Sequence, residues 1–233
     1  MKKQHGYLLR QQGQPNNSLA LLAPIGIAEY TENYSFHSKN LSKDLTKIQS
    51  EKDEGVFRAK LLNVLKKTLT EAKSKLAENL YKYCDGAVYV GTHAIIMDQL
   101  ISTIHRMILS RHCKKNTKKI NGLSILAVGG YGRGELAPHS DIDLLFLYQK
   151  DQLTKHQPVI EYILYLLWDL GLKVGHATRT SDQCLEAAND DITIMTTLLE
   201  IRYIEGDEKL FENFEKRLRL WISEKPVSYF VTE

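Results

Sequence analysis

The sequence has few of the residues that build disulfide frameworks, zinc sites or membrane spans. Its 233 residues include three cysteines, Cys84, Cys113 and Cys184, which lie far apart and form no Cys-x-x-Cys motif. This spacing is typical of reduced thiols and excludes a disulfide scaffold or a Cys-rich zinc domain. No apolar run reaches the ~18–20 residues of a membrane-spanning helix. The sequence therefore predicts a cytoplasmic protein with no membrane partner.

The N-terminal region lacks both regular apolar spacing and a typical export signal. Its main apolar stretch, residues 18–28, is interrupted by Pro24 and Gly26 and begins later than the apolar part of a secretory signal. Gln, Asn and Ser are frequent in this region. We therefore predict an irregular arm over residues 1–50 and no export.

A strong excess of one charge is also missing. The chain has 31 Lys and Arg residues against 28 Asp and Glu residues, which gives a net charge of +3. This surplus is too small to predict nucleic acid as the substrate. A basic cluster within residues 111–119 has two interpretations: the solvated end of a helix, or an electrostatic funnel for a nucleotide or an acidic partner.

Apolar spacing predicts two long helices ahead of a mixed core. Apolar residues recur every three or four positions over residues 54–83 and again over 90–113, and Gly86 is predicted to end the first helix. Residues 51–120 are therefore predicted to form a helical hairpin, and residues 121–233 a core with C-terminal helices. The expected core elements are strands at 123–128, 142–148 and 172–178 and helices at 154–170, 181–188, 191–204 and 207–223.

Two carboxylates follow a glycine-rich turn within this core. The predicted strand 123–128 ends at Gly129 and Gly130, and Asp141 and Asp143 stand at the head of the next strand. Because side chains alternate along a strand, both aspartates point to one face, and Ile142 points into the core. Like charges this close favour a cation between them, and Mg²⁺ binds carboxylates together with phosphates.

The glycines and a nearby arginine suit the phosphates of a nucleotide. Gly129 and Gly130 permit close backbone approach, and their N–H groups can form an anion-binding nest. Arg133 can donate two hydrogen bonds to a phosphate. Other glycine motifs fit less well, since no Lys-Ser/Thr follows as in a P-loop, and the glycines alternate where a dinucleotide fingerprint would not. Each element alone is also common at an ordinary turn or strand end.

The combined pattern resembles the nucleotidyltransferase superfamily that includes DNA polymerase β. The longer string at residues 128–145 resembles a narrower family, the bacterial PII uridylyltransferase/uridylyl-removing enzymes. The similarity continues at residues 167–169, 174–180 and 191–206, and it covers roughly residues 55–225. The resemblance implies an α+β (mixed α/β) nucleotidyltransferase fold, a small mixed sheet flanked by helices and preceded by the helical hairpin.

The resemblance also implies an activity and a set of site residues. It implies Mg²⁺-dependent transfer of UMP from UTP to a tyrosine of the PII signalling protein, with release of pyrophosphate. Asp141 and Asp143 would be the catalytic and metal-binding residues. Nucleotide-binding residues would be Gly129, Gly130, Arg133 and Ser140, which all lie in the resembling string.

The sequence departs from that family in two ways. The family's phosphohydrolase (HD) and ACT domains, which follow the transferase domain, are not found in these 233 residues, so only the transferase half is expected. The superfamily usually supplies a third carboxylate from a neighbouring strand, but residues 172–178 contain no acid. Asp169 and Asp182 flank that strand, and the third ligand stays open.

Other functions remain open on the sequence alone. A sugar-nucleotide glycosyltransferase also uses Asp-x-Asp, although the glycine turn here precedes the Asp pair by too little chain. The chain also fits a non-catalytic remnant that binds nucleotide or PII, or a nucleotidyltransferase with another acceptor. His176, in the resembling segment 174–180, is either a packed strand residue or a nucleotide contact.

Overall fold

The computed structural model describes residues 39–115 and 121–225, with side chains over 41–111 and 121–225. It begins with three helices, α1 (Lys39–Gln49), α2 (Glu54–Tyr83) and α3 (Gly86–Lys115). The core that follows contains four strands and five further helices within the described residues. Most of the predicted arm, residues 1–38, and the predicted boundary at residue 120 lie outside the described residues.

The helical region follows the predicted apolar spacing, with two corrections. The prediction of an irregular arm is wrong over α1, because Leu41 and Ile48 share one helix face and are buried in the core. The prediction that Gly86 ends α2 is also wrong. Cys84 ends that helix in the left-handed conformation (φ 52°), and Gly86 is the first residue of α3.

Four strands form one mixed sheet in the order β3-β2-β1-β4. The central strands β1 (Leu123–Ala127) and β2 (Ile142–Tyr148) are antiparallel. β3 (Val174–Arg179) pairs in parallel with β2, and β4 (Arg202–Gly206) pairs antiparallel with β1. The short helix α4 (Gly129–Gly132) fills the turn between the central strands.

The strand β4 corrects the predicted helix over residues 191–204. That segment contains a shorter helix, α7 (Ile192–Leu199), and the chain then enters β4. Apolar residues 201 and 204 extend the helical spacing, so the local pattern favours a longer helix. Pairing with β1 overrides this preference, because it satisfies the backbone of the sheet edge.

Helices cover both faces of the sheet. Leu144 and Phe146 point to one face, where they pack with α1, α2, α3 and α5 (Leu153–Asp169). Leu145 and Leu147 point to the other, where they pack with α7 and with α6 (Ser181–Asp190) and α8 (Glu208–Ser223). The predicted fold class, a small mixed sheet flanked by helices after a helical region, is confirmed.

The helix α3 owes its apolar composition to this packing. Among the described residues, its segment Gly86–Arg111 is the one stretch long and apolar enough to cross a membrane by length and composition, although no such run was expected from the sequence. Half of the apolar 18-residue stretch within this segment is buried inside the fold, and Ile96, Leu100 and Ile104 are fully buried. Burial against α2 and the sheet accounts for its hydropathy.

Candidate active site

The glycine turn and the two aspartates meet at one end of the sheet. β1 runs toward this end and β2 starts there, since Ala127 pairs with Leu144. The N–H of Val128 donates to the carbonyl oxygen of Asp143 at 3.1 Å, which ties the start of the glycine turn (residues 129–134) to the head of β2. The sheet therefore places the turn and the Asp pair (Asp141 and Asp143) side by side.

The Asp pair carries negative charge that the described part of the protein does not neutralise. Ile142 between them is buried, as predicted, while Asp141 is exposed and Asp143 is half-buried. Burial raises the pKa of Asp143, and the neighbouring charge of Asp141 raises it further. Neither carboxylate has an ion-pair partner among the described side chains. A cation bound here would relieve both effects.

The glycine turn brings its backbone close to this charge. Gly129 has a φ of 57°, which favours glycine, and a Cβ placed there would lie 3.7 Å from Oδ2 of Asp143. α4 begins at this residue. The first N–H groups of a helix have no acceptor within it, so they are available to an anion. The backbone donors and the carboxylates thus stand next to each other.

Gly175 on β3 is a site residue that the sequence analysis did not identify. It is the parallel partner of Asp143, and a Cβ at Gly175 would collide with the carboxylate oxygen Oδ1 of that aspartate. The absence of a side chain leaves the space that the carboxylate occupies. A glycine inside a strand often marks such a close approach, and its position within the predicted strand 172–178 could have pointed to this role.

A buried ionic cluster holds the glycine turn from behind. Arg202 on β4 donates to both carboxylate oxygens of Asp98 on α3, at 2.6 and 3.2 Å, and its guanidinium also donates to the carbonyl oxygens of Tyr131 (3.0 Å) and Gly132 (3.2 Å). The hydroxyl of Tyr131 donates to Asp98 at 2.7 Å. These three side chains, the Arg202 clamp, join α3, α4 and β4 around the turn.

Gly132 shows how tightly the turn is held. A Cβ at this position would overlap the carbonyl oxygen of Glu200, which follows α7. Because that atom belongs to the main chain, it cannot rotate away. The turn is therefore packed directly against the chain that leads into β4.

The comparisons with known proteins agree with this geometry. A family model described as a nucleotidyltransferase domain matches residues 106–198, which include the glycine turn, the Asp pair and β3. The chain carries a nucleotidyltransferase domain. The domain class is that of a transferase enzyme, and the superfamily resemblance seen in the sequence is confirmed.

Two curated relatives point to a narrower group. A bifunctional uridylyltransferase/uridylyl-removing enzyme from Rhodospirillum rubrum is 42% identical over 156 residues, which are 66% of this chain and 17% of that protein. An enzyme of the same name from Caulobacter vibrioides is 36% identical over 199 residues, which are 85% of this chain and 21% of that protein. The chain thus spans about a fifth of the length of these curated relatives.

Arg133 in the nucleotidyltransferase domain is not free in this structure. Its guanidinium lies 2.6 Å from Oε1 of Glu200 and 3.0 Å from Oε2 of Glu135. Glu200, and then Glu135, raise the pKa of Arg133 above its usual range. Because Nε and Nη1 are engaged, the predicted contact of two donors with a phosphate requires the guanidinium to release one of these carboxylates.

The two carboxylates considered as a third metal ligand are engaged elsewhere. Asp169 pairs with Arg58 at 2.7 Å, and Asp182 pairs with Arg217 at 2.6 Å. The described residues contain no group of three or more His, Cys, Asp or Glu side chains arranged to hold a metal. The Asp pair therefore has no third carboxylate beside it among the described residues, and its binding of a metal stays a prediction.

Two other residues of the resembling segments, His176 and Ser140, differ in their position relative to the Asp pair. His176 pairs with Leu144, so its ring points to the opposite face of the sheet, where it lies 6.1 Å from the ring of Trp168. This orientation does not bring it to the Asp pair. Ser140 directly precedes Asp141, is exposed, and is one of the residues that line a cavity behind β2. Its nucleotide contact stays a prediction.

The structure describes one side chain of the basic cluster at residues 111–119, that of Arg111. Arg111 stacks on Phe57 at 4.3 Å, pairs with Glu54 at 2.7 Å and donates to the carbonyl oxygens of Glu51 and Lys52. It therefore joins α3 to the start of α2 and does not form a free electrostatic funnel. The side chains of the remaining lysines in this cluster lie outside the described residues.

Proposed function

We propose that this domain transfers UMP from UTP to a tyrosine hydroxyl of the PII signalling protein and releases pyrophosphate. The observation that carries the proposal is the Asp pair, which lies unneutralised beside the backbone donors of the glycine turn. The printed names of the relatives support uridylyl transfer, and the family resemblance supports UTP and PII.

The donor chemistry of the Asp pair fits Mg²⁺. The pair consists of hard carboxylate oxygens. Burial, and then the neighbouring charge of Asp141, raise the pKa of Asp143, and a divalent cation between the two would offset both effects. Asp141 and Asp143 are the residues that would hold the ion. When bound, Mg²⁺ would neutralise charge on the phosphates of the nucleotide.

The residues of the chain then bind and orient the nucleotide. The N–H groups of Gly129 and Gly130 donate to the phosphates, and Arg133 adds a charged donor after releasing Glu200. The tyrosine oxygen forms a bond to the α-phosphorus, while the bond to the bridging oxygen of the β-phosphate breaks and pyrophosphate leaves. The phenol has a pKa near ~10, so its proton must pass to a carboxylate or to water as the new bond forms.

The test uses UTP labelled at the α-phosphate, a PII protein and Mg²⁺. We expect label on PII with the unmodified chain and none with Asp141→Asn/Asp143→Asn. The control is Asp190→Asn, which removes an exposed carboxylate at the end of α6 and should keep full activity.

Other outcomes would replace the proposal. Nucleotide binding without pyrophosphate release would indicate a non-catalytic binding module. Pyrophosphate release without label on PII would indicate another acceptor. Transfer of label from the sugar of a sugar nucleotide, and not from the α-phosphate, would indicate a glycosyltransferase.

A further inference from the structure

A cavity lies behind β2, on the side away from Asp143. Its volume is about 170 Å³, and its walls come from α2, α3, the segment before β2 and the segment before β3. Ile142 lines it. Because Ile142 and Asp143 alternate along the strand, the cavity and the half-buried carboxylate lie on opposite faces of the sheet.

The polar groups of this cavity are mainly cationic or hydrogen-bond donors. Lys73, Lys173, His93, His139 and Ser140 line it, and none of the described residues of its wall is a carboxylate. Neither lysine has an ion-pair partner among the described side chains. Burial lowers the pKa of Lys73, which shows that water solvates this ammonium group poorly. The cavity therefore gathers positive charge that the described side chains around it do not balance.

His93 adds a buried polar atom without a partner. Its side chain is 5% exposed, and Nδ1 lies 3.0 Å from the carbonyl oxygen of Leu136. A carbonyl can only accept, so Nδ1 carries the hydrogen, and Nε2 is left without a hydrogen-bond partner in the described structure. Buried polar atoms are normally satisfied, which marks Nε2 as a contact for a bound group.

We propose that this cavity is a second binding site, for a small oxyanion that carries phosphate or carboxylate groups. The ammonium groups of Lys73 and Lys173 would balance its charge, and the Ser140 hydroxyl would donate to it. Nε2 of His93, the unprotonated nitrogen of the neutral ring, would accept from a protonated oxygen of the anion. The proposal does not depend on nucleotide transfer, because neither aspartate of the pair lines the cavity.

The position of Ser140 gives the site a consequence for the domain. Ser140 directly precedes Asp141, and its N–H donates to the carbonyl oxygen of Ala137 at 3.2 Å in the turn that leads to the Asp pair. An anion held by Ser140 would therefore contact the segment that positions Asp141. Occupancy of the cavity and the geometry of the pair would be linked through this short turn.

Calorimetry with phosphate, pyrophosphate and succinate as probes tests the site. The protein is first freed of divalent ions on a chelating resin, so that the Asp pair cannot recruit an anion through a metal. We expect the unmodified chain to bind at least one of these anions. We expect the Lys73→Gln/Lys173→Gln variant to bind it with an affinity at least roughly tenfold lower. The matched control Lys67→Gln removes an exposed lysine of the same helix α2 and should bind as the unmodified chain does.

A second measurement ties the binding to His93. The NMR chemical shifts of the His93 ring should change when the anion that binds in calorimetry is added. They should not change in the Lys73→Gln/Lys173→Gln variant. A preference for phosphates or for succinate would identify which anion class the site takes. No binding at millimolar concentrations, or unchanged binding by a folded double variant, would overturn the proposal.

Discussion

Two aspartates near one end of the sheet have opposite surroundings. Burial raises the pKa of Asp98, while the charge and hydrogen bonds of Arg202 and a hydrogen bond from Tyr131 lower it again. Burial also raises the pKa of Asp143, but its charged neighbour is Asp141, which raises it further. The chain supplies its own cation where a carboxylate holds the fold together. Among the described side chains, none supplies a cation where the carboxylate faces the glycine turn, and this difference is what we expect between a structural charge and one kept for a ligand.

The largest expected effect is on transfer activity in Asp143→Asn. Loss of the carboxylate should lower the rate by at least ~10³-fold, about 4 kcal/mol of transition-state stabilisation. The melting temperature without divalent ions should stay the same or rise. The raised pKa means that the folded state disfavours the ionised form, so above that pKa the charge costs stability, which the amide removes.

Rate assays and thermal unfolding of the same preparation check both parts. A clear fall in the melting temperature would contradict the contrast drawn between Asp143 and Asp98, because it would show that Asp143 also stabilises the fold. Full activity in this variant would contradict the metal assignment.

Local alternation explains why the Asp pair could be predicted from the sequence. The expected strand 142–148 is the observed β2, and burial of Ile142 follows directly from a period of two. The helix expected over 54–83 is observed as Glu54–Tyr83, because its apolar residues repeat on one face over thirty residues. Signals of this kind depend only on neighbours in the sequence.

The Arg202 clamp could not be predicted in the same way. Asp98 and Arg202 are 104 residues apart, and the strand that carries Arg202 lies in a segment whose apolar spacing favours a helix. The strand exists because β1 pairs with it. Gly175 was missed for a similar reason, since its role depends on Asp143 across a parallel pair of strands.

The second prediction removes the cation from the structural site. Arg202→Met leaves Asp98 buried without its ion-pair partner, and the free energy of unfolding should fall by about 3–5 kcal/mol. Urea denaturation measures this change. The control Arg217→Met breaks an exposed pair with Asp182 and should cost only about 0–1 kcal/mol. Equal effects in the two variants would show that burial does not distinguish these pairs.

A third prediction concerns His156, a buried titratable side chain that has neither an ion-pair partner nor a hydrogen-bond partner among the described residues. His156 is fully buried, and both of its ring nitrogens lack hydrogen-bond partners in the described structure. Burial, then Lys155 and His105, lower its pKa from 6.5 to about 4. The neutral ring is therefore favoured in the folded state. Its contribution to stability is complete above the unfolded pKa and is lost as the pH falls toward the folded one.

Unfolding by urea at pH 7 and pH 5 measures this loss. From the cited pKa values, the unmodified chain should lose about 2 kcal/mol at pH 5 through His156. His156→Leu keeps an apolar side chain in the core and should remove this part of the pH dependence. A variant with the same pH dependence as the unmodified chain would show that another group is responsible.

The smallest effect is expected at Arg133, where a cation already has carboxylate partners. Arg133→Gln should raise the KM for UTP by up to roughly tenfold, about 1.4 kcal/mol, and change stability by less than about 1 kcal/mol. Glu200→Gln should lower that KM, because it releases the guanidinium for a phosphate. Steady-state kinetics measure the KM for UTP of both variants, which should change in opposite directions. Changes in the same direction would contradict the proposed exchange of Glu200 for a phosphate at Arg133.

The Arg202 clamp also has a consequence for how the domain is made. During synthesis the glycine turn and the Asp pair leave the ribosome well before Arg202, and the matched family region ends at residue 198, four positions earlier. Until β4 emerges, β1 lacks the strand that pairs with its edge, and Arg202 cannot bind the carbonyl oxygens of the turn. A nascent chain therefore contains the glycine turn and the Asp pair for some time before it can hold them in place, and the arrival of β4 completes their support.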